Sequence, residues 1–355
     1  MYKRVIVKIG SGVISKDGQL DREVVRNIVD QIAALHEEGT QIILVTSGAV
    51  ATGRGLLTPN ERIDSIVQKQ VFAAVGQVKL MAIYADLFAK HSCTCAQVLV
   101  TKGDFRDRQH YANMKNCLEN LLQSNVIPIV NENDVVAITE LIFTDNDELA
   151  GLLASQVGAE ALIILSSVAG VLKGDPKDPT ATVVPEIDFK KDPSFEDYIS
   201  AEKSSTGRGG MRTKFGVAKK LAMEGITTHI ANGKQPNVLG ELLAGKPIGT
   251  RFVAHRKLST TKRRVAHSEG LSKGAVYINK CAEDVLRSEK AASLLPVGII
   301  KIEGSFEKGD VIEIRNEEKK KLGFGIAQYD SNKALESLGK QNIKALVHYD
   351  YMFLE

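Results

Sequence analysis

Between residues 3 and 231 the chain repeats one unit: a short β-branched apolar run, then a longer segment with apolar residues at helical spacing. The apolar runs are KRVIVKI (3–9), QIILVT (41–46), CAQVLV (95–100), VIPIVN (126–131), ALIILSS (161–167) and ITTHIA (226–231). Segments 22–39, 66–89, 107–124, 147–158 and 211–225 read as the helices. A strand with one face in water would alternate apolar and polar residues, and these runs are apolar throughout. Such strands belong to a parallel sheet covered on both faces, and parallel strands need helical crossovers. The pattern therefore predicts an α/β fold, a mainly parallel sheet sandwiched by helices. Ligands of such sheets gather at the carboxyl ends of the strands. Here those ends are small and polar: Lys8-Ile9-Gly10-Ser11-Gly12, Thr46-Ser47-Gly48, Asn131-Glu132-Asn133-Asp134 and Ser166-Ser167.

At 355 residues the chain is too long for one typical core. Its texture changes after residue 255. RKLSTTKRR (256–264) is polar and basic and reads as a linker between a first domain, 1–255, and a second, 265–355. The second is a small β-rich module with short strands and frequent glycine: GAVYIN, GIIKIEG, KGDVIEIRN, LGFGIAQY. Its aromatics, Tyr277, Phe306, Phe324, Tyr329, Tyr349, Tyr351 and Phe353, sit at strand-like positions and are expected in its core rather than as stacking platforms. Net charge is +3, an excess that resides in the tail and suits a solvated surface. The run MYKRVIVKIG reads as a strand rather than a signal peptide, and no apolar run approaches the roughly 18 residues of a membrane span. A cytoplasmic location without membrane association is the expectation. Cys93, Cys95, Cys117 and Cys281 lack the second Cys/His cluster a zinc site needs and are expected as free thiols.

Two glycine motifs are decoys. Gly10–Ser15 nearly matches a dinucleotide fingerprint, but Ser15 replaces the third glycine and KDGQL intervenes before the helix. Gly240–Pro247 nearly matches a P-loop, but Pro247 has no hydroxyl for Mg²⁺ and ELLA reads as helix. Better phosphate elements lie elsewhere. In VKIGSG the amides of Gly10, Ser11 and Gly12 can approach an anion closely, with Lys8 at the same strand end. In STGRGGMRTK (205–214) glycines precede a helix whose positive end and free amides face one way, with Lys214 near enough to reach a bound phosphate.

KIGSGVI, VTSGAVATG, VNENDVV, TDNDELA and GRGGMRTK, in this order, resemble the amino-acid kinase family, and the resemblance extends over essentially the whole chain. The tail, with SLLPVGIIKIEGSFEKGDVIEIRN, resembles a PUA domain. The resemblance implies an amino-acid kinase fold followed by a PUA domain. It implies transfer of the ATP γ-phosphoryl, with Mg²⁺, to the side-chain carboxylate of L-glutamate, the first step of proline biosynthesis. Acetylglutamate and aspartate are the acceptors of related enzymes; a blocked amino group would have no use for Asp134. Homo-oligomers, dimer or tetramer, and feedback inhibition by proline are also implied. PUA domains in other proteins bind RNA, so RNA is a candidate partner of the tail, and a protein acting through that tail is the competing reading.

The implied chemistry explains an odd stretch, FTDNDELAG (143–151), which crowds Asp145, Asp147 and Glu148 between apolar runs. The acceptor carboxylate, with a pKa near 4.3, is an anion at neutral pH and needs no general base. The difficulty is bringing one anion to another, so catalysis rests on positioning and positive charge. Lys8 and Lys214 are the candidates, and by resemblance Asp147 lies between them and keeps both charged. Asp145 and Glu148 read instead as charges at a helix N-terminus. The same carry-over gives Asp134 the α-ammonium of glutamate, with Ser47 and Asn146 completing the substrate pocket. It gives nucleotide contacts to Lys8, Gly10, Ser11, Gly12, Ser166, Ser167 and the block Gly207, Arg208, Gly209, Gly210, Met211, Arg212, Thr213, Lys214. Three places depart from the family pattern. Ser166-Ser167 stands where Thr-Asp is usual, Arg208 replaces a threonine, and Arg212 replaces a small residue. No protein-held metal is expected.

Overall fold

A computed structural model describes residues 2–58, 63–137, 143, 145–173, 180–191, 210–255, 259–266, 272–288 and 291–354. The chain divides into two units, 1–257 and 258–355.

The first unit begins with β1 (Arg4–Ile9), a single helical turn α1 (Ser11–Ile14) and a hairpin of β2 (Ser15–Lys16) and β3 (Gln19–Leu20). Then come α2 (Arg22–Glu37), β4 (Gln41–Val45), α3 (Ala49–Arg54), α4 (Ser65–Ala89), β5 (Thr94–Val100), α5 (Lys102–Arg106), α6 (Arg108–Gln123), β6 (Val126–Glu132), α7 (Asn146–Gln156) and β7 (Ala161–Ser166). A small hairpin of β8 (Leu172–Lys173) and β9 (Thr182–Val183) precedes β10 (Glu186–Ile187), α8 (Met211–Met223), β11 (Thr227–Asn232), α9 (Val238–Leu243) and β12 (Thr250–Phe252). Eight strands form one sheet in the order β10-β12-β11-β7-β1-β4-β6-β5. Six run parallel; β12 pairs antiparallel to β11, and β10 follows β12, so the reversed strands lie at one edge. The near-match to a P-loop is the end of α9 and its turn, where Gly245 takes φ +79°.

Strand β1 shows how the sheet places a site. Its side chains alternate between two cores. Val5, Val7 and Ile9 face the core built with Val25, Ile28 and Ile32 of α2 and Leu80, Tyr84 and Phe88 of α4. Ile6 faces the other, with Leu118 and Leu122 of α6, Leu149 and Leu153 of α7, and Ala218 and Leu221 of α8. By that period Lys8 shares the face of Ile6, the side of α7 and α8. Helix α4 is long and apolar enough to cross a membrane by length and composition, but half of its most apolar window is buried in this unit.

The second unit carries α10 (Thr260–Ala266), β13 (Gly274–Ile278), α11 (Lys280–Arg287), β14 (Ile299–Gly304), β15 (Val311–Arg315), β16 (Lys321–Ile326), α12 (Ser331–Ser337) and β17 (Met352–Leu354). Its five-stranded sheet has the order β14-β13-β15-β16-β17. The segment expected as a linker thus enters α10, whose Val265 packs with Val311 and Phe324. Tyr277, Phe306, Phe324 and Tyr329 are buried, as expected. Tyr349 and Tyr351 are not: both are exposed, at 36% and 38%, on a 3₁₀ turn before β17. A turn just outside the ladder loses the strand alternation on which the sequence expectation rested.

Candidate active site

The carboxyl ends of β1, β4, β6 and β7 meet the N-termini of α7 and α8. Asp147 occupies the first turn of α7 and is fully buried, on the face that also carries Ala150 and Ala154. Lys8 Nζ lies 2.6 Å from its Oδ1 and Lys214 Nζ 2.9 Å from its Oδ2. Both lysines are nearly buried, at 5% and 8% exposure. Burial alone would push the Asp147 carboxyl up; the two lysines more than reverse this and hold it below its usual value. Helices α7 and α8 approach closely, because a Cβ on Gly151 would come within 2.8 Å of Val217. That proximity brings Lys214, in the first turn of α8, to a carboxylate 67 positions earlier in the chain.

The acidic crowd in FTDNDELAG separates into distinct environments. Asp145 is the N-cap of α7, its Oδ1 accepting from the amides of Asp147 at 2.8 Å and Glu148 at 3.2 Å. Burial raises its carboxyl above the ordinary value, and the negative Asp147 beside it adds to the rise. Glu148 turns outward to Lys102 at 2.7 Å. Asn146 faces the strand ends, with Nδ2 within reach of Thr46 O at 2.6 Å, Ser47 Oγ at 3.0 Å and Asn131 Oδ1 at 3.0 Å. Asn131 is itself held by Gln77, and Thr46 by the hydroxyl of buried Tyr84, whose pKa burial pushes up to about 12. Gln77 and Tyr84 carry no signal of this role in the sequence, because α4 looks like an ordinary apolar helix.

The glycine elements differ in detail from expectation. Gly10 N–H is not open to an anion: it donates to Leu165 O at 2.9 Å, continuing the β1–β7 pairing. Ser11 and Gly12 open the turn α1, where first-turn amides have no partner within the helix. Gly12 faces Ser167; a Cβ there would stand 3.7 Å from the Ser167 hydroxyl. Ser166 is buried and Ser167 exposed at the end of β7. Gly210 is the N-cap of α8, followed by half-buried Met211, exposed Arg212 and half-buried Thr213 before Lys214. Gly207, Arg208 and Gly209 lie outside the described residues.

Asp134 stands just past β6, its carboxylate one-fifth exposed and 3.4 Å from Lys69 Nζ of α4. Gln70, the next residue of α4, donates to Val135 O at 3.0 Å, tying the helix start to the same loop. Glu132 accepts from Phe143 N–H at 2.9 Å; burial raises its carboxyl, and negative Asp134 adds to the rise. Lys69 has no motif around it. Among the described residues no group of three or more His, Cys, Asp or Glu side chains is arranged to hold a metal ion.

With this geometry in view, residues 3–232 match the family model described as the amino acid kinase family, and residues 274–348 that of the PUA domain. A glutamate 5-kinase of Bacteroides thetaiotaomicron is 50% identical over 358 residues, covering 100% of this chain and 99% of the relative. Another, from Chlorobaculum tepidum, is 49% identical, covering 100% and 98%. Among solved structures, a carbamate kinase from Giardia lamblia bound to AMP-PNP superposes with a TM-score of 0.52 at 16% identity, over 71% of this chain and 99% of that one. A UMP kinase from Ureaplasma parvum gives 0.50 at 14% identity, over 71% and 99%. These two speak to fold alone.

Proposed function

This chain belongs to the amino acid kinase family and is matched end to end by glutamate 5-kinases; from that premise we propose how its site phosphorylates glutamate. The enzyme transfers the γ-phosphoryl of ATP to the γ-carboxylate of L-glutamate, the first step of proline biosynthesis. A carboxylate oxygen attacks the γ-phosphorus, the bond to the bridging oxygen breaks, and ADP leaves with the electron pair. No proton moves to or from the attacking oxygen.

The observation that carries the reading is one fully buried carboxylate with a lysine ammonium on each of its oxygens, at the carboxyl end of β1. Asp147 holds the Lys8 and Lys214 side chains in place, and the transferred group gathers negative charge between them. The N-terminus of α8 from Gly210, the first turn of α1 and Ser166-Ser167 carry the nucleotide side. Asn146 and Ser47 bind the acceptor by hydrogen bonds, and Asp134 takes its α-ammonium. Both Asp147 oxygens are engaged by lysines, so the donor set fits a Mg²⁺ carried on the phosphates, where it neutralises charge, rather than one bound by this carboxylate. The test is ADP formation with glutamate, N-acetylglutamate and aspartate side by side. Turnover with glutamate alone supports the reading; equal efficiency with N-acetylglutamate removes the role of Asp134.

The proposed site residues lie in the first unit, and a chain ending near residue 256 should retain phosphoryl transfer. An outer row on α4, Val67, Val71, Val75 and Val78 at 46%, 41%, 38% and 74% exposure, supports a homo-oligomer that covers this face. The exposed Tyr349 under Lys262, 5.6 Å from its ring centre, favours RNA as a further ligand of the second unit. Heparin retention of that unit against salt tests it.

A further inference from the structure

We propose that Lys69 is the second half of the substrate's head-group site: it binds the α-carboxylate of glutamate while Asp134 binds the α-ammonium. The inference rests on the glutamate reading above and deepens it.

An α-amino acid carries opposite charges on two groups attached to one carbon. A protein surface that matches it offers one anion and one cation side by side. Asp134 and Lys69 are such a pair: 3.4 Å apart, close enough to neutralise one another in the free protein. Neither is buried, at 20% and 39% side-chain exposure, so a ligand can enter between them without displacing a packed group. A part-exposed pair of this kind is worth little by itself, which makes opening it cheap. The arriving zwitterion then replaces one weak contact by two charge-assisted ones.

Two further contacts fix the pair's place. Gln70 Nε2 donates to Val135 O, so the start of α4 cannot drift from the loop that carries Asp134. Among the described residues Glu132 also lies nearby and accepts the Phe143 amide at 2.9 Å, while the ion pair of Lys69 is with Asp134 at 3.4 Å. Glutamate would thus be held at both ends by charge. Its γ-carboxylate faces the two lysines on Asp147, and its head group lies between Asp134 and Lys69. Specificity for an α-amino acid then needs both members of the pair.

Three acceptors separate the contributions. Glutarate is glutamate without the ammonium, and 4-aminobutyrate is glutamate without the α-carboxylate. The comparison is kcat/KM for each with the full-length wild type, Lys69→Met, Lys69→Arg and Asp134→Asn; for an acceptor that turns over too slowly, its inhibition constant against glutamate replaces it. Lys69→Met should raise KM for glutamate by about tenfold with kcat nearly kept, leave 4-aminobutyrate unchanged, and so shrink the preference between those two by about tenfold. Lys69→Arg should recover most of the loss. Asp134→Asn should instead shrink the preference of glutamate over glutarate. If Lys69→Met weakens glutamate and 4-aminobutyrate equally, or weakens neither, Lys69 does not bind the carboxylate and the proposal is wrong. If Asp134→Asn leaves the glutarate comparison unmoved, the underlying reading of Asp134 fails, a result independent of Lys69.

Discussion

Replacing Asp147 by asparagine would keep the shape of the side chain and remove its charge. Two ammonium groups would then remain nearly buried around a neutral amide. Two unit charges some 6 Å apart repel by about 3 kcal/mol at an effective dielectric near 20. Breaking a buried ion pair by deleting one partner typically costs about 3–5 kcal/mol, because charge is left uncompensated. We therefore expect Asp147→Asn to destabilise the kinase unit by about 3–5 kcal/mol and lower its melting temperature by about 10 °C. With the lysines no longer held, kcat should fall by about 10²–10³. The variant has a further signature. The γ-phosphate of bound ATP supplies the missing negative charge, so saturating ATP should raise the melting temperature of the variant more than that of the wild type. The assays are glutamate-dependent ADP formation and thermal unfolding followed by circular dichroism, with and without ATP. A kcat within about threefold of wild type, or an ATP-induced shift no larger than in wild type, would refute the account of the lysine–carboxylate cluster.

Lys8→Ala and Lys214→Ala should each lower kcat by about 10²-fold; a raised KM for ATP with kcat intact would reduce that lysine to ground-state binding. His229, buried in β11 with Tyr2 on its Nε2 at 3.0 Å, has its pKa lowered from 6.5 to about 4, chiefly by burial and then by Arg251. Unfolding therefore takes up a proton below pH 6.5, and stability should fall by up to about 3 kcal/mol as the pH drops from 6.5 to 4. Urea titrations at pH 7 and pH 4.5 should show a smaller loss for His229→Gln. A Cβ on Gly76 would stand 1.8 Å from Ala49 O, so Gly76→Ala must push α3 from α4. A destabilisation of about 3 kcal/mol with impaired glutamate use, read from denaturant midpoints and KM, is expected.

What the sequence reveals here is what depends on local pattern. Apolar runs without alternation announce the buried parallel strands, and the helical spacing between them announces the crossovers. The polar strand ends mark where a candidate site would lie before any residue is assigned. Pairings across the sheet are less visible. Nothing near Gly10 tells that its amide is spent on Leu165, because that bond depends on β7 lying beside β1. The reversal of β10 and β12 is equally hidden, since a short edge strand reads alike in either direction. Lys69 is hardest of all: it sits on an apolar helix 65 positions before Asp134, and only the packing of α4 against the end of β6 brings them together. Tyr349 and Tyr351 fail for a local reason, a 3₁₀ turn that breaks the strand period.

In the mechanism proposed above, the γ-carboxylate of glutamate receives the phosphoryl group between Lys8 and Lys214. Its product would be an acyl phosphate, which hydroxylamine converts to a hydroxamate. The most direct measurement is therefore turnover of ATP and glutamate in the presence of hydroxylamine, with ADP and hydroxamate counted in the same sample by mass spectrometry. Glutamate γ-hydroxamate is expected in a one-to-one ratio with ADP, with loss of both together in the Lys8→Ala and Lys214→Ala proteins. ADP released without hydroxamate, or a hydroxamate on the α-carboxylate, would contradict it.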